Sequence, residues 1–141
     1  MTFNVLCSFC DRRYDPWEER LAYFGDIFAR YDADLIGLQE VSPYPINDGM
    51  EVAQLLAQIP GRAATAVYFN DYPDGTILYR TSRFTLIQSG IYWLSPTPDD
   101  PFSTGFARVQ LPRLVNWARL YDLDAGREIF FATTHFDNNT P

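Results

Sequence analysis

Asn4 sits in an apolar opening run, Thr2-Phe3-Asn4-Val5; Glu40 closes a second, Leu35-Ile36-Gly37-Leu38-Gln39-Glu40; and His135, the only histidine, ends a third running from Ile129 to Asp137. Strand ends hold polar side chains rigidly at a cleft mouth, so an amide, a carboxylate and an imidazole in these places read as one site. Together they cover the tasks of metal-dependent phosphoester hydrolysis, which needs a hard cation on phosphate oxygens, an oriented water and help for the leaving oxygen. A carboxylate suits Mg²⁺, which takes oxygen ligands and keeps several waters, and an amide orients a ligand or phosphate without adding charge. Imidazole donates a hydrogen bond or proton to a phosphate oxygen. Singly, each residue has an ordinary explanation: a solvated or capping glutamate, an asparagine satisfying backbone groups, a structural histidine.

The elements that must position these residues follow from local chemistry. Asp15-Pro16-Trp17-Glu18-Glu19 reads as a helix start, with Asp15 as cap, proline at the first position and acids in the first turn. Trp17, Leu21, Phe24, Ile27 or Phe28, and Tyr31 then follow helical spacing as a core stripe. Short apolar strands are expected at Thr2 to Leu6 and Leu35 to Gln39, and strand-helix-strand implies a parallel crossover with both strand ends on one edge. Asn4 falls early in its expected strand whereas Glu40 follows its own, so spacing leaves open whether they meet. Ser42-Pro43-Tyr44-Pro45 breaks the chain, and Glu51 to Ile59 predicts a second helix closed by Pro60-Gly61. Five further strands are expected, at Ala64–Phe69, Thr76–Tyr79, Thr85–Trp93, Leu114–Leu120 and Glu128–Thr134, paired antiparallel through short connections. With no internal repeat or linker, this is one α/β unit.

Composition narrows the function. The 141 residues, 47% hydrophobic and 16% aromatic, suffice for one domain with a real core. Eleven arginines and no lysine stand against 18 acids, a net charge of -7 that disfavours holding nucleic acid on a broad basic surface. A bound cation reverses the local field, so nucleic acid stays among the candidate substrates. The lysine-free, arginine-rich composition fits a bacterial source. No stretch approaches the roughly 20 apolar residues of a membrane span, and Met1 leads directly into strand-like sequence, so the chain as written reads as cytoplasmic, with a missing leader left open. Cys7-Ser8-Phe9-Cys10 has redox-pair spacing, but Asp11 to Asp15 delays the next helix; two partly buried thiols are expected rather than a redox pair or zinc half-site.

The motifs occur in an order that resembles the endonuclease/exonuclease/phosphatase superfamily, the deoxyribonuclease I-like phosphoesterases. The resemblance runs through Thr2 to Val5, Trp17 to Arg20, Asp34 to Val41, Ile77 to Arg80 with Arg83-Phe84, Tyr92 to Pro98, Arg113 with Trp117, and Thr134 to Asp137. It implies that Glu40 is a metal ligand, that Asn4 helps position metal or phosphate, that His135 contacts the scissile phosphate, and that Arg113 lies near the same cleft as a substrate-binding residue. The implied cofactor is Mg²⁺ or Mn²⁺. Family members carry a second acidic residue before the strand Ile77-Leu78-Tyr79; here Asp74 can substitute, although an Asp-Gly turn explains Asp71-Tyr72-Pro73-Asp74-Gly75 equally well. The family's later Gly-Asp-x-Asn and Ser-Asp-His motifs, the latter supplying the base, do not occur. The implied fold is part of a four-layer α/β/β/α sandwich: one mixed β-sheet covered by helices on one face, residues 1–141 forming an N-terminal portion and the C-terminal half missing. A phosphoester hydrolase of reduced or no activity alone is therefore expected, its substrate class open. The alternative is a noncatalytic half-domain acting as a binding or assembly module, self-associating through its exposed sheet face.

Overall fold

A computed structural model of the chain describes residues 1–46, 49–66, 74–105 and 111–136. Strand β1 (Thr2–Asn4) and strand β2 (Leu35–Val41) lie parallel with helix α1 (Trp17–Tyr31) between them, as strand-helix-strand patterning requires. Strand β1 ends sooner than expected. Leu6 turns to a left-handed φ of 49° and gives its N–H to Asn4 Oδ1 at 2.8 Å, so Asn4 stands at the C-terminal end of its strand. Register places Asn4 beside Gln39, the neighbour of Glu40.

In α1, Trp17, Phe24 and Phe28 are buried, and Leu21 and Ile27 pack at the margin of the same core. Tyr31 departs from the expected stripe: it is 68% exposed in the last turn, beside the left-handed Asp32 that stops the helix. The expected Asp15 cap is also not made. Pro16 occupies the N-cap position, and its carbonyl accepts the N–H groups of Glu19 and Arg20.

Past the short ribbon β3 (Pro45–Ile46) and β4 (Gly49–Met50) comes helix α2 (Glu51–Gln58). Strands β5 (Arg62–Ala64) and β6 (Asp74–Arg80) complete a mixed sheet in the order β1-β2-β6-β5. The expected strand at Ala64–Phe69 is thus realised as Arg62–Ala64; residues 67–73, including Asp71, lie outside the described residues, as does Asp137. Phe3 meets Phe24 and Phe28 edge-on, and Leu38, Val41, Leu55 and Leu78 fill the space between sheet and helices.

The expectation of a single mixed sheet needs correction. Strands β7 (Phe84–Trp93), β8 (Leu114–Asp122) and β9 (Arg127–Thr134) are antiparallel, as expected, but form a separate sheet in that order. Their patterning gives the reason. On β8 and β9, Leu120 and Ile129 point inward while Tyr121 and Glu128 point out, the alternation of strands that pack one face against another sheet. Inner-face Phe84, Ala118 and Leu120 cluster on Ile77 of β6. The sheets approach closely at Gly37, where a Cβ would lie 2.5 Å from Thr133 Oγ1. Gln39 Nε2 donates to that hydroxyl at 2.8 Å, a polar tie between the sheets next to the predicted site. The molecule is therefore a partial α/β fold in which two helices partly cover a mixed sheet and the antiparallel sheet stacks on the other face.

Two further observations bear on expectations from sequence. Cys7 and Cys10 form a disulfide with Cα atoms 5.1 Å apart, so the expected pair of thiols is corrected. Among the described residues, no helix is long and apolar enough to cross a membrane.

Candidate active site

The site is built on an irregularity in β2. Pairing with β6 shifts register between Leu38 and Val41, and within that bulge Glu40 takes a left-handed φ of 59°. A non-glycine residue rarely adopts this backbone, and bulges re-aim side chains where pairing ends. Glu40 turns to the strand ends, where Asn4 Nδ2 donates to its Oε1 at 2.9 Å. The Leu6 N–H on Asn4 Oδ1 fixes which way the amide points.

The third member arrives from the other sheet. His135 follows β9, whose last residue Thr134 is pinned by its hydroxyl donating to Leu114 O at 2.8 Å. His135 Nε2 lies 3.5 Å from Glu40 Oε1, and Arg113 Nη1 lies 3.4 Å from His135 Nδ1. Arginine only donates, so Nδ1 is the acceptor and the neutral ring carries its proton on Nε2, facing Glu40. Burial pushes the His135 pKa down; the Arg113 charge lowers it further, and Glu40 opposes both. The ring is therefore neutral at pH 7, a hydrogen-bond donor rather than a fixed cation. All four residues singled out from sequence, Asn4, Glu40, Arg113 and His135, meet at one mouth.

Two buried polar residues add to this group. Asp74 is 1% exposed and pairs with Val41 within β6, so it is a strand residue and not part of a turn. Its Oδ1 accepts the Gly75 N–H at 2.7 Å, while Oδ2 is buried without a hydrogen-bond partner among the described residues. Burial pushes its pKa up to about 6, against the Gly75 hydrogen bond and the Arg113 charge. Asn116, 2% exposed in β8, likewise has a buried Oδ1 without a partner among the described residues. A Cβ on Gly75 would come 3.3 Å from Asn116 Nδ2, so the two segments meet behind the mouth. The signal for Asn116 is its place as an amide interrupting the apolar run Leu114-Val115-Asn116-Trp117.

Among the described residues, no three His, Cys, Asp or Glu side chains gather where they could hold a metal ion. The donor set at the mouth is smaller: the Glu40 carboxylate, with Asn4 Oδ1 keeping a second lone pair beyond its bond to Leu6. One carboxylate and one amide oxygen fit a hard cation that retains most of its water.

The profile of the Endonuclease/Exonuclease/phosphatase family matches residues 1–136. An endonuclease/exonuclease/phosphatase family protein from Bacteroides thetaiotaomicron superposes with a TM-score of 0.82 at 28% identity, over 99% of this chain and 49% of that one. A Bacteroides thetaiotaomicron mannosyl-6-phosphatase gives 0.81 at 26% identity, over 99% and 51%. The human Nocturnin catalytic domain, solved with bound sulfate, shares the fold at 0.68 and 23% identity, over 97% and 48%. The chain spans about half the length of these structures. No curated protein matches it.

Proposed function

The chain belongs to the endonuclease/exonuclease/phosphatase family, and from that premise we propose that it is a metal-dependent phosphoester hydrolase working at the mouth formed by Asn4, Glu40, His135 and Arg113. The observation that carries this reading is the sharing of one oxygen: Glu40 Oε1 accepts from Asn4 and lies opposite His135 Nε2, across the two sheets. Its span of about half of each matched structure supports reading residues 1–141 as the N-terminal portion of such a domain.

Mg²⁺ or Mn²⁺, when bound, would polarise the phosphate oxygens and offset the charge that builds during displacement. Glu40 would hold the cation, with Asn4 Oδ1 beside it. Asn4 also keeps the Glu40 carboxylate from swinging away, through a hydrogen bond anchored by Leu6. Neutral His135 would donate its Nε2 proton as a hydrogen bond to a phosphoryl or leaving oxygen, strengthening as negative charge develops there. Arg113 holds the ring in that tautomer and adds positive charge for phosphate binding. None of the four is assigned to take the proton of the attacking water, so slow turnover is expected of this chain alone. Substrates open to this chemistry include phosphodiesters, nucleic acid among them, and the sugar phosphate indicated by the mannosyl-6-phosphatase likeness.

Mn²⁺ binding followed by electron paramagnetic resonance, alongside hydrolysis of bis(p-nitrophenyl) phosphate with Mg²⁺, tests the reading. Glu40→Gln is expected to weaken Mn²⁺ binding by about tenfold or more and to remove whatever hydrolysis the chain shows. Unchanged metal binding in that variant would refute it. A noncatalytic assembly module is favoured by one observation, the outer face of the antiparallel sheet, where Phe130 is 62% exposed and stacks on Trp117 at 5.7 Å. A stable inactive oligomer indifferent to Glu40→Gln would support that second reading.

A further inference from the structure

Asn4 is aimed by a stretch of backbone that runs directly into a disulfide. Its Oδ1 accepts the Leu6 N–H at 2.8 Å, and its Nδ2 donates to Glu40 Oε1 at 2.9 Å. The first of these bonds comes with Leu6 at a left-handed φ of 49°, a backbone that leucine rarely adopts and that its surroundings must hold in place. Cys7 is the next residue, and it is bonded to Cys10.

The hydrogen bonds that hold this turn are uneven. Arg20 Nη1 donates to Val5 O and Leu6 O, each at 2.6 Å, and the buried Glu51 carboxylate accepts the Ser8 N–H at 2.7 Å. Cys7 O is held less firmly, by Arg20 Nη2 at 3.3 Å and by the Cys10 N–H at 3.2 Å, both at the long end of the N–H···O range. The disulfide is the covalent tie that keeps this carbonyl between its two donors. Cys7 is 1% exposed whereas Cys10 is exposed, so a thiol in solution reaches the bond from the Cys10 side.

We propose that the Cys7–Cys10 disulfide is a redox switch on the site. Closed, it holds Asn4 against Glu40; opened by a dithiol, it lets Leu6 leave the left-handed turn and frees Asn4. The dithiol supplies both electrons. One of its sulfurs, as thiolate, attacks the Cys10 sulfur; the bond to Cys7 breaks, and Cys7 leaves as thiolate and takes up a proton. The dithiol's other sulfur then attacks the first, closing the reductant's own disulfide, and Cys10 leaves and takes up the second proton. A small disulfide reverses the exchange. The opening of the loop stands without the phosphoester reading above; its effect on phosphoester turnover rests on that reading.

Dithiothreitol added to the whole folded chain tests the switch, with N-ethylmaleimide alkylation expected to label neither cysteine before reduction and both after it. Nuclear magnetic resonance follows the oxidised, reduced and reoxidised forms. Reduction is expected to speed Leu6 amide exchange by about three- to thirtyfold, the scale of opening a short closed loop, and to shift the Asn4 side-chain amide signals. Exchange at Leu38 and Ile77, in the core strands, should change by less than about twofold. Oxidised glutathione should restore the starting signals. Cys10→Ser, a small change at the exposed end, should match the reduced chain and ignore reductant, with melting curves checking that it folds. Unchanged Leu6 and Asn4 signals, a bond that opens only in denaturant, or equal acceleration at Leu6, Leu38 and Ile77 would overturn the switch. Mn²⁺ affinity, measured by electron paramagnetic resonance after the reductant is removed under argon, separates this inference from the phosphoester reading. A fall of about threefold or more on reduction, recovered on oxidation, supports both. Equal Mn²⁺ affinity in the two forms overturns the disulfide as a control on the site. If Leu6 and Asn4 respond to reduction and neither form binds Mn²⁺, the phosphoester reading falls and the switch stands.

Discussion

Asp74 concentrates the tension of this site in one carboxyl group. Its Oδ2 is buried with no partner among the described residues, and desolvation places its pKa about 6, well above the ordinary carboxylate value. An unfolded chain releases this proton near pH 4 and the folded chain near 6, so stability is full below about pH 4 and declines as pH rises through 6. Two pKa units correspond to about 2 to 3 kcal/mol at neutral pH. Asp74→Asn keeps an oxygen for the Gly75 N–H and removes the charge. It is expected to raise the melting temperature at pH 8 by roughly 5–10 °C and to change it little at pH 4, which thermal unfolding followed by circular dichroism checks. An equal gain at both pH values would show that ionisation is not the cause. Local sequence could not show this group as buried, because an aspartate before glycine is ordinary turn chemistry. Its pairing with Val41 comes from a strand 33 positions away.

At the scale of elements, the site depends on how loops and strand ends are held together. Glu51 opens α2, yet its carboxylate serves the loops after β1 and β2 by accepting one N–H from each, within the field of Arg20. Glu51→Gln leaves only one acceptor oxygen, so one of the two N–H groups would face an amide donor. The expected cost is about 1–3 kcal/mol, the usual penalty for an unsatisfied buried group, measured by urea unfolding. Amide exchange should accelerate at Ser8 or Ser42 before it does in the sheet core. A variant as stable as the parent, with unchanged exchange at both residues, would refute the clamp. The elements themselves were largely legible: the apolar spacing of Trp17, Phe24 and Phe28 marks α1, and short apolar runs mark β1 and β2. Asn4, Glu40 and His135 were legible as residue types at strand ends. Three details were not, because each arises from distant packing: the bulge that swings Glu40, the early turn at Leu6 that leaves Asn4 last in its strand, and the division of the later strands into a second sheet.

Across the whole molecule, charge is arranged at the end of β2 opposite the site. Asp34, just before β2, accepts from Arg80 and Arg83, and Arg83 also pairs with Asp122 at 3.1 Å, tying the mixed sheet to the end of β8. Asp32 joins through Arg62 and Arg80. Hydrogen bonds from these arginines hold the carboxyls of Asp32, Asp34 and Asp122 below the usual range. For a depressed carboxylate the stabilisation is present above its unfolded pKa, near 4, and is lost as pH falls towards the folded value. Asp74 acts with the opposite sign above pH 4, so the two groups of carboxyls limit stability from opposite sides. The melting temperature is expected to peak at about pH 4 to 5. Arg83→Gln should lower it at pH 6, where the network is charged, and lower it by less at pH 2.5, as the carboxyls take up protons; added salt should shrink the difference at pH 6, since these pairs are partly exposed. Melting curves of the parent, Arg83→Gln and Asp74→Asn between pH 2.5 and 8 separate the two limbs. An Arg83→Gln effect of the same size at pH 2.5 and pH 6 would mean that Arg83 stabilises by packing over Phe84, 5.2 Å from its guanidinium, and not by joining the two sheets electrostatically.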